Sequence, residues 1–312
     1  MERIFVTGAS TWTGGNFIRR IETRNDVEVF AVDDHTPRID FKADFQQLSL
    51  DRLALAQYIL EVEPTVVVHL QSVQHRSEEG RNADAEERIV GALALFGAIE
   101  RLTSVRSVVV KSDTAIYGAS PRNPSVLSET TRPQGRPSRY QRDLLEMERF
   151  IGETAGRHPS TTFTTLRFAP IFGPQVANPL SRYLTLPLVP TLMGFDPRLQ
   201  FIHEQDAVNA LVHAIDDPTP GTFNVAADGQ MYLSRVLRLG RRLPQPLPGR
   251  MFDAALRELA RVSIPAPEHL KGLLKNGRIT NTALMHTTFG FDPSHTCRQT
   301  VLNAYGLTDD AS

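Results

Sequence analysis

Residues 3–21 of the chain read RIFVTGASTWTGGNFIRRI, and no other stretch limits the fold as tightly. Ile4, Phe5 and Val6 form a short β-prone apolar run, and Thr7-Gly8 turns out of it. Gly14-Gly15 opens a segment whose apolar Phe17, Ile18 and Ile21 recur at helical spacing. A strand that feeds a glycine-rich turn and then a helix is the setting of a dinucleotide-binding motif. The helix N-terminus offers unpaired N–H groups and a positive dipole end to a pyrophosphate. Gly8 and Gly14 hold the first and third positions of a G-x-x-G-x-x-G spacing. Thr11 holds the second, where its β-carbon is expected to crowd a cofactor.

The segments that follow alternate in period. Val27 to Val32 reads as a second strand ending at Asp33-Asp34, and Asp33 lies 19 positions after Gly14. An acid in that place accepts hydrogen bonds from the adenosine ribose hydroxyls and repels a 2′-phosphate, so NAD is expected over NADP. Ala43-Asp44-Phe45 is expected to follow a short third strand, with Asp44 near the adenine. Leu53 to Glu61 has helical spacing, Pro64 stops it, and Thr65 to Leu70 reads as a buried strand. Glu86 to Arg101 and Tyr140 to Ile151 read as helices; Val105 to Val110 and Thr161 to Phe168 read as strands. This order predicts an α/β fold with a doubly wound parallel sheet and a ligand site at the carboxyl ends of its strands.

Beyond Pro170 prolines accumulate, and the pattern shifts to loops and short elements until strand character returns at Gly221 to Ala226. Leu243 to Pro248 is again proline-rich and precedes helical spacing around Phe252 to Val262. The expected division is a nucleotide-binding domain of residues 1–170 with 204–228, and a smaller, discontinuous cap of residues 171–203 with 229–312.

Composition excludes several classes. A net charge of −1 over 312 residues gives no electrostatic case for nucleic acid or an anionic membrane. Cys297 is the sole cysteine, so no internal disulfide framework exists, and a reducing, cytoplasmic setting is expected. No apolar run approaches the roughly 20 residues of a membrane span, and the first residues already form a strand, with no signal-peptide core. The nine histidines show no metal-ligand spacing, so no metal is expected.

Further motifs match one family in order. Val68-His69-Leu70 resembles a V-H-L-A-A strand end, and KSDTAIYG (residues 111–118) resembles a segment ending in V-Y-G. LRFAPIFGP (residues 166–174) resembles L-R-x-x-N-V-Y-G-P, Phe201-Ile202-His203 with Asp206 resembles F-I-H-V-x-D, and Thr288-Phe289-Gly290-Phe291 resembles an L-G-F-style closure. Together these resemble the extended short-chain dehydrogenase/reductases, the NAD-dependent epimerase/dehydratase family, and within it degenerate galactose-epimerase homologues of actinobacteria. The resemblance implies a Rossmann domain with a small cap, a small-molecule or sugar-nucleotide substrate, and dimerisation through helices near residues 85–101 and 140–152. It places cofactor contacts at Gly8, Thr11, Trp12, Thr13 and Gly14, at Asp33 and Asp34, and at Asp44 and Phe45. Leu70, Gln71 and Ser72 would stand beside the nicotinamide ribose.

The family reaction uses a tyrosine as acid or base, a lysine four residues on that lowers its pKa, and a Ser or Thr on the reacting oxygen. Here Tyr140 takes the tyrosine position, Leu144 replaces the lysine, and Asp113 takes the hydroxyl position. Arg142 lies about 200° round a helix from Tyr140 and cannot substitute for the lysine. Arg88 stands where an asparagine is expected, Pro170 replaces the asparagine of R-x-x-N, and Asp113-Thr114-Ala115 departs from the dehydratase Thr-Asp-Glu. Tyr140, Asp113 and Thr114 are the candidate catalytic residues. Asp113 is read either as a repurposed acid/base or as an ion-pair partner of Lys111, Arg88 or Arg142. Arg182 and Arg198 are read either as solvated surface residues, the preferred reading, or as contacts to an anionic substrate from the cap. Three readings follow: an NAD-dependent enzyme with a remodelled site, a pseudoenzyme acting as a nucleotide-sensing or interaction module, and a non-redox isomerase or lyase.

Overall fold

The computed structural model describes residues 1–48, 52–70, 92–261, 264 and 266–308. Its centre is a seven-stranded sheet. In chain order the strands are β1 (Glu2–Thr7), β2 (Val27–Asp33), β3 (Asp44–Gln47), β4 (Val66–His69), β5 (Ser107–Asp113) and β6 (Thr162–Phe168), joined later by β11 (Gly221–Val225). Their spatial order is β11-β6-β5-β4-β1-β2-β3, with every neighbour parallel. The order reverses between β1 and β4, as in a doubly wound sheet, which opens a crevice at the carboxyl edge.

Both faces are covered, which is why the strands read as continuous apolar runs. Alternation still sorts the side chains. Ile4, Val6, Val66, Val68 and Val109 join the apolar cluster under α1 (Trp12–Ile21) and α6 (Glu204–Asp216). Phe5, Val67, Val108 and Val110 join the opposite cluster with α2 (Arg52–Val62), α3 (residues 92–99) and α4 (Arg139–Arg157). Ser138 caps α4, its side chain accepting from Gln141 N at 3.2 Å.

The remaining elements lie outside the sheet. They are β7 (Ile171–Phe172), α5 (Pro179–Leu184), β8 (Leu188–Leu192), β9 (Arg198–Leu199), β10 (Ile202–His203), β12 (Met231–Tyr232), α7 (Leu233–Leu239), β13 (Leu243–Leu247), α8 (Gly249–Arg261), α9 (Glu268–Asn276), α10 (Ala283–Thr287) and α11 (Cys297–Ala304). The apolar cluster of the α1 face runs without a break into them, through Phe201, Phe252, Leu270 and Phe289. The region beyond Pro170 therefore shares a core with the sheet.

Two expectations change. The proline-rich stretch from Leu243 is a strand, pairing in parallel with β8. Leu243 N–H bonds to Pro187 O, so alternation turns Pro244 and Pro246 to the open side, where no donor is needed. Asp44 and Phe45 lie within β3 and do not follow it.

Candidate functional site

The glycine-rich turn is built by its own sterics. Gly8 has φ +82°, a conformation glycine adopts without strain. A β-carbon on Gly14 would stand 2.1 Å from Gly8 O, so the turn itself demands that glycine. Thr11 is the N-cap of α1: its Oγ1 donates to Gly8 O and accepts from Gly14 N, both at 2.9 Å. The threonine hydroxyl is thus used inside the turn. Among the described residues no protein acceptor meets the N–H of Trp12 or Thr13. Those two donors sit at the positive end of α1, and that arrangement fits a pyrophosphate. The Trp12 ring reaches across the turn and donates from Nε1 to Gln175 Oε1 at 3.2 Å.

Asp33 ends β2 and is 3% exposed. Its Oδ2 accepts from Ser10 N at 2.8 Å and its Oδ1 from His35 N at 3.3 Å. Burial, reinforced by Asp34, pushes its carboxyl up to about 6. Asp34 itself pairs with His35 Nδ1 at 2.5 Å.

The register settles where Asp44 stands. It lies opposite Phe30, while Gln47 lies opposite Asp33. Asp44 Oδ2 accepts from Tyr58 Oη at 3.1 Å, and the Phe45 ring packs edge-on to Phe41. The strand thus presents Gln47, with Leu48 donating its N–H to Asp33 O at 3.0 Å, at the edge where Asp44 and Phe45 were expected. Leu70 is buried at the end of β4, its N–H on Thr7 O at 3.1 Å. Gln71, Ser72 and Arg88 lie outside the described residues.

β5 extends past β4, whose last residue His69 is level with Val110, so Asp113 overhangs the carboxyl edge. There Tyr140 of α4 donates its hydroxyl to Asp113 Oδ2 at 3.1 Å. The other carboxylate oxygen caps a 3₁₀ turn (Thr114–Tyr117), accepting from Ala115 N at 2.6 Å. Thr114, the first residue of that turn, is 1% exposed. Tyr140 is buried, and the His269 ring of α9 packs against it at a tilt of 36°, with centroids 4.5 Å apart. Burial first, and the Asp113 charge second, hold the Tyr140 phenol well above its ordinary value. Leu144 is fully buried in the apolar cluster beneath, so no charge replaces the missing lysine from that position.

A cation comes instead from far along the chain. Arg278, just beyond α9, places Nη2 3.9 Å from Asp113 Oδ1 with its side chain 3% exposed. Of the partners expected for Asp113, Lys111 interacts with its charge and Arg88 lies outside the described residues; Arg278 was not singled out. Its only sequence signal is a Gly-Arg step after a helix, and nothing local reveals that this step faces Asp113. Arg198 bonds to Ser125 O at 3.3 Å and Gln230 Oε1 at 3.5 Å.

Below the site a buried network fixes the strands. Arg167 pairs with Glu148 at 2.5 Å and donates to Tyr117 Oη at 2.7 Å; Ser112 Oγ donates to Glu148 Oε1 at 2.5 Å. Elsewhere His203, Asp206 and His295 cluster within 4.8 Å. Within this cluster His203 Nδ1 accepts from Gln205 N, and Asp206 accepts from Ser294 N, His295 N and His295 Nδ1. That cluster ties the loop before α11 to α6.

The described residues contain no helix long and apolar enough to cross a membrane. The chain is 34% identical over 304 residues to the uncharacterised Mycobacterium tuberculosis protein Rv0501, covering 94% of this chain and 80% of that one. Its fold is similar to that of MoeE5 in complex with UDP-glucuronic acid and NAD, at a TM-score of 0.75, 19% identity and coverage of 97% and 98%. It is also similar to the UDP-glucose 4-epimerase of Thermotoga maritima with UDP-glucose, at a TM-score of 0.74, 18% identity and 97% coverage of each chain. The sequence pattern of the NAD dependent epimerase/dehydratase family matches residues 4–226. The chain belongs to the NAD-dependent epimerase/dehydratase family.

Proposed function

We propose that the chain binds NAD, in preference to NADP, and carries out proton and hydride chemistry on a small molecule of the sugar-nucleotide class. One observation carries this reading: the Tyr140–Asp113 hydrogen bond of 3.1 Å stands on the carboxyl edge that also carries the Gly8 turn and Asp33. NAD, when bound, supplies hydride acceptance and donation at its nicotinamide. The free N–H groups of Trp12 and Thr13 would take its pyrophosphate, and Asp33 would accept from its adenosine ribose and repel a 2′-phosphate.

The proton-handling roles differ from the family pattern. Tyr140 remains a neutral phenol and serves as a hydrogen-bond donor. Asp113, about one-third exposed and held by Ala115 N, is the group that accepts a proton from a substrate hydroxyl. The test is turnover of a panel of UDP-sugars with NAD, followed by NADH absorbance and proton NMR. The expected result is activity that falls about 10²–10⁴-fold in D113N. Wild-type rates in both D113N and Y140F would overturn the assignment.

A second reading, a nucleotide-sensing pseudoenzyme, draws support from the His269 ring over Tyr140 and the loss of the lysine at Leu144. NAD binding without turnover of any substrate in the panel favours it.

A further inference from the structure

We propose that Arg278 is a binding group for an oxyanion, a carboxylate or phosphoryl oxygen, carried by the molecule that reaches Asp113. The inference rests on Asp113 and Tyr140 being the substrate end of the site.

The guanidinium is buried and under-compensated. Nε and Nη1 are sealed from solvent and meet no hydrogen-bond partner among the described residues. Nη2 lies 3.9 Å from Asp113 Oδ1, near enough for charge attraction and too far for a hydrogen bond. Asp113 in turn spends its oxygens on Ala115 N and Tyr140 Oη, both closer than Arg278. A buried cation with unmade donor bonds is unfavourable and calls for an explanation.

The backbone holds the residue in place. Gly277 has φ +73°, and a β-carbon there would meet Arg198 O at 2.6 Å. Arg278 N donates to Arg198 O at 3.1 Å, while Ile279 O and Asn281 N bond to Leu127 on the other side, each at 2.8 Å. A rigid strap thus presents a group that stays charged at any ordinary pH and whose planar donors match carboxylate and phosphoryl oxygens. The Asp113 carboxylate is partly open, so a ligand standing there meets Nη2 first. Leu144, in the position of the family lysine, is fully buried and brings no charge to that point.

The test is arginine-labelled NMR on the full chain, reading the Arg278 Nε–H signal assigned through R278K. Glucuronate, inorganic phosphate and glucose are titrated separately, with and without NAD. A saturable shift with glucuronate alone assigns a carboxylate, and one with phosphate assigns a phosphoryl group; glucose is expected to give none. R278L is expected to weaken that binding about tenfold or more, and R278K to retain part of it. If R278L does not fold, the wild-type titration decides. No shift with either anion, or unchanged affinity in folded R278L, overturns the proposal. Calorimetry with NAD separates the two readings. NAD binding without any Arg278 response defeats this inference alone, whereas an Arg278 response without NAD binding defeats the cofactor reading alone.

Discussion

Tyr140 and Asp113, 27 residues apart in sequence, share a hydrogen bond of 3.1 Å, and Asp113 stands where a hydroxyl side chain would normally meet the tyrosine. The exchange inverts the electrostatics of the pair. A nearby lysine favours tyrosinate; a buried phenol facing a carboxylate resists ionisation. The folded state therefore holds the Tyr140 proton more tightly than the unfolded chain does. Alkaline absorbance titrations of wild type and Y140F are expected to coincide up to about pH 10. A phenol titrating near neutrality in wild type and absent from Y140F would contradict this.

Restoring the family lysine is expected to damage the protein. Leu144 is fully buried among Tyr117, Tyr140 and Met147. L144K puts an ammonium into that cluster, and the expected cost is roughly 2–5 kcal/mol of stability. Thermal or urea unfolding measures it, and an L144K protein as stable as wild type would show that the cluster opens to solvent.

Asp33 links stability, pH and cofactor. Its folded carboxyl titrates near 6, raised by burial above the unfolded value of 3.8. The folded state holds the extra proton between those values, so stability falls as pH rises from about 4 to 6. D33N removes the cost of burying the charge and is expected to gain of order 2 kcal/mol over wild type at pH about 8, with little difference below about pH 4. The same substitution is expected to weaken NAD binding. Wild-type NAD affinity is expected to rise through pH about 6, as Asp33 ionises and accepts from the ribose. Unfolding curves and calorimetry at several pH values read both halves.

The glycine turn separates strain from capping. G14A drives a β-carbon against Gly8 O and is expected to cost both stability and NAD affinity. T11A loses only the cap of α1, at about 1 kcal/mol. T11G costs a few tenths and puts a glycine at the second motif position, so NAD is expected to bind it more tightly than wild type. A T11G protein with weaker NAD binding would show that the threonine helps hold the cofactor.

Much of the sheet was legible because buried parallel strands and amphipathic helices leave strong periodic marks. TVVVHL and residues 107–113 follow this rule, as does α4. The Gly8 turn and Asp33 were legible because backbone sterics and topology fix them together. Asp44 was misplaced because a one-strand register cannot be read from a short polar run such as DFQQ. Leu243 to Leu247 reads as loop since its prolines hide the alternation that lets them sit on an open edge. Arg278 was invisible for a different reason. Its partner Asp113 lies 165 residues earlier, and only the strap between Arg198 and Leu127 brings the two together.

The central claim is a retained dinucleotide cradle beside a rebuilt proton site, and calorimetric titration of NAD and NADP into the wild-type protein tests it most directly. The account predicts saturable NAD binding at neutral pH, with NADP weaker by about tenfold or more because its 2′-phosphate faces the Asp33 carboxylate. No heat with NAD at millimolar concentration, or NADP binding as tightly as NAD, would contradict it.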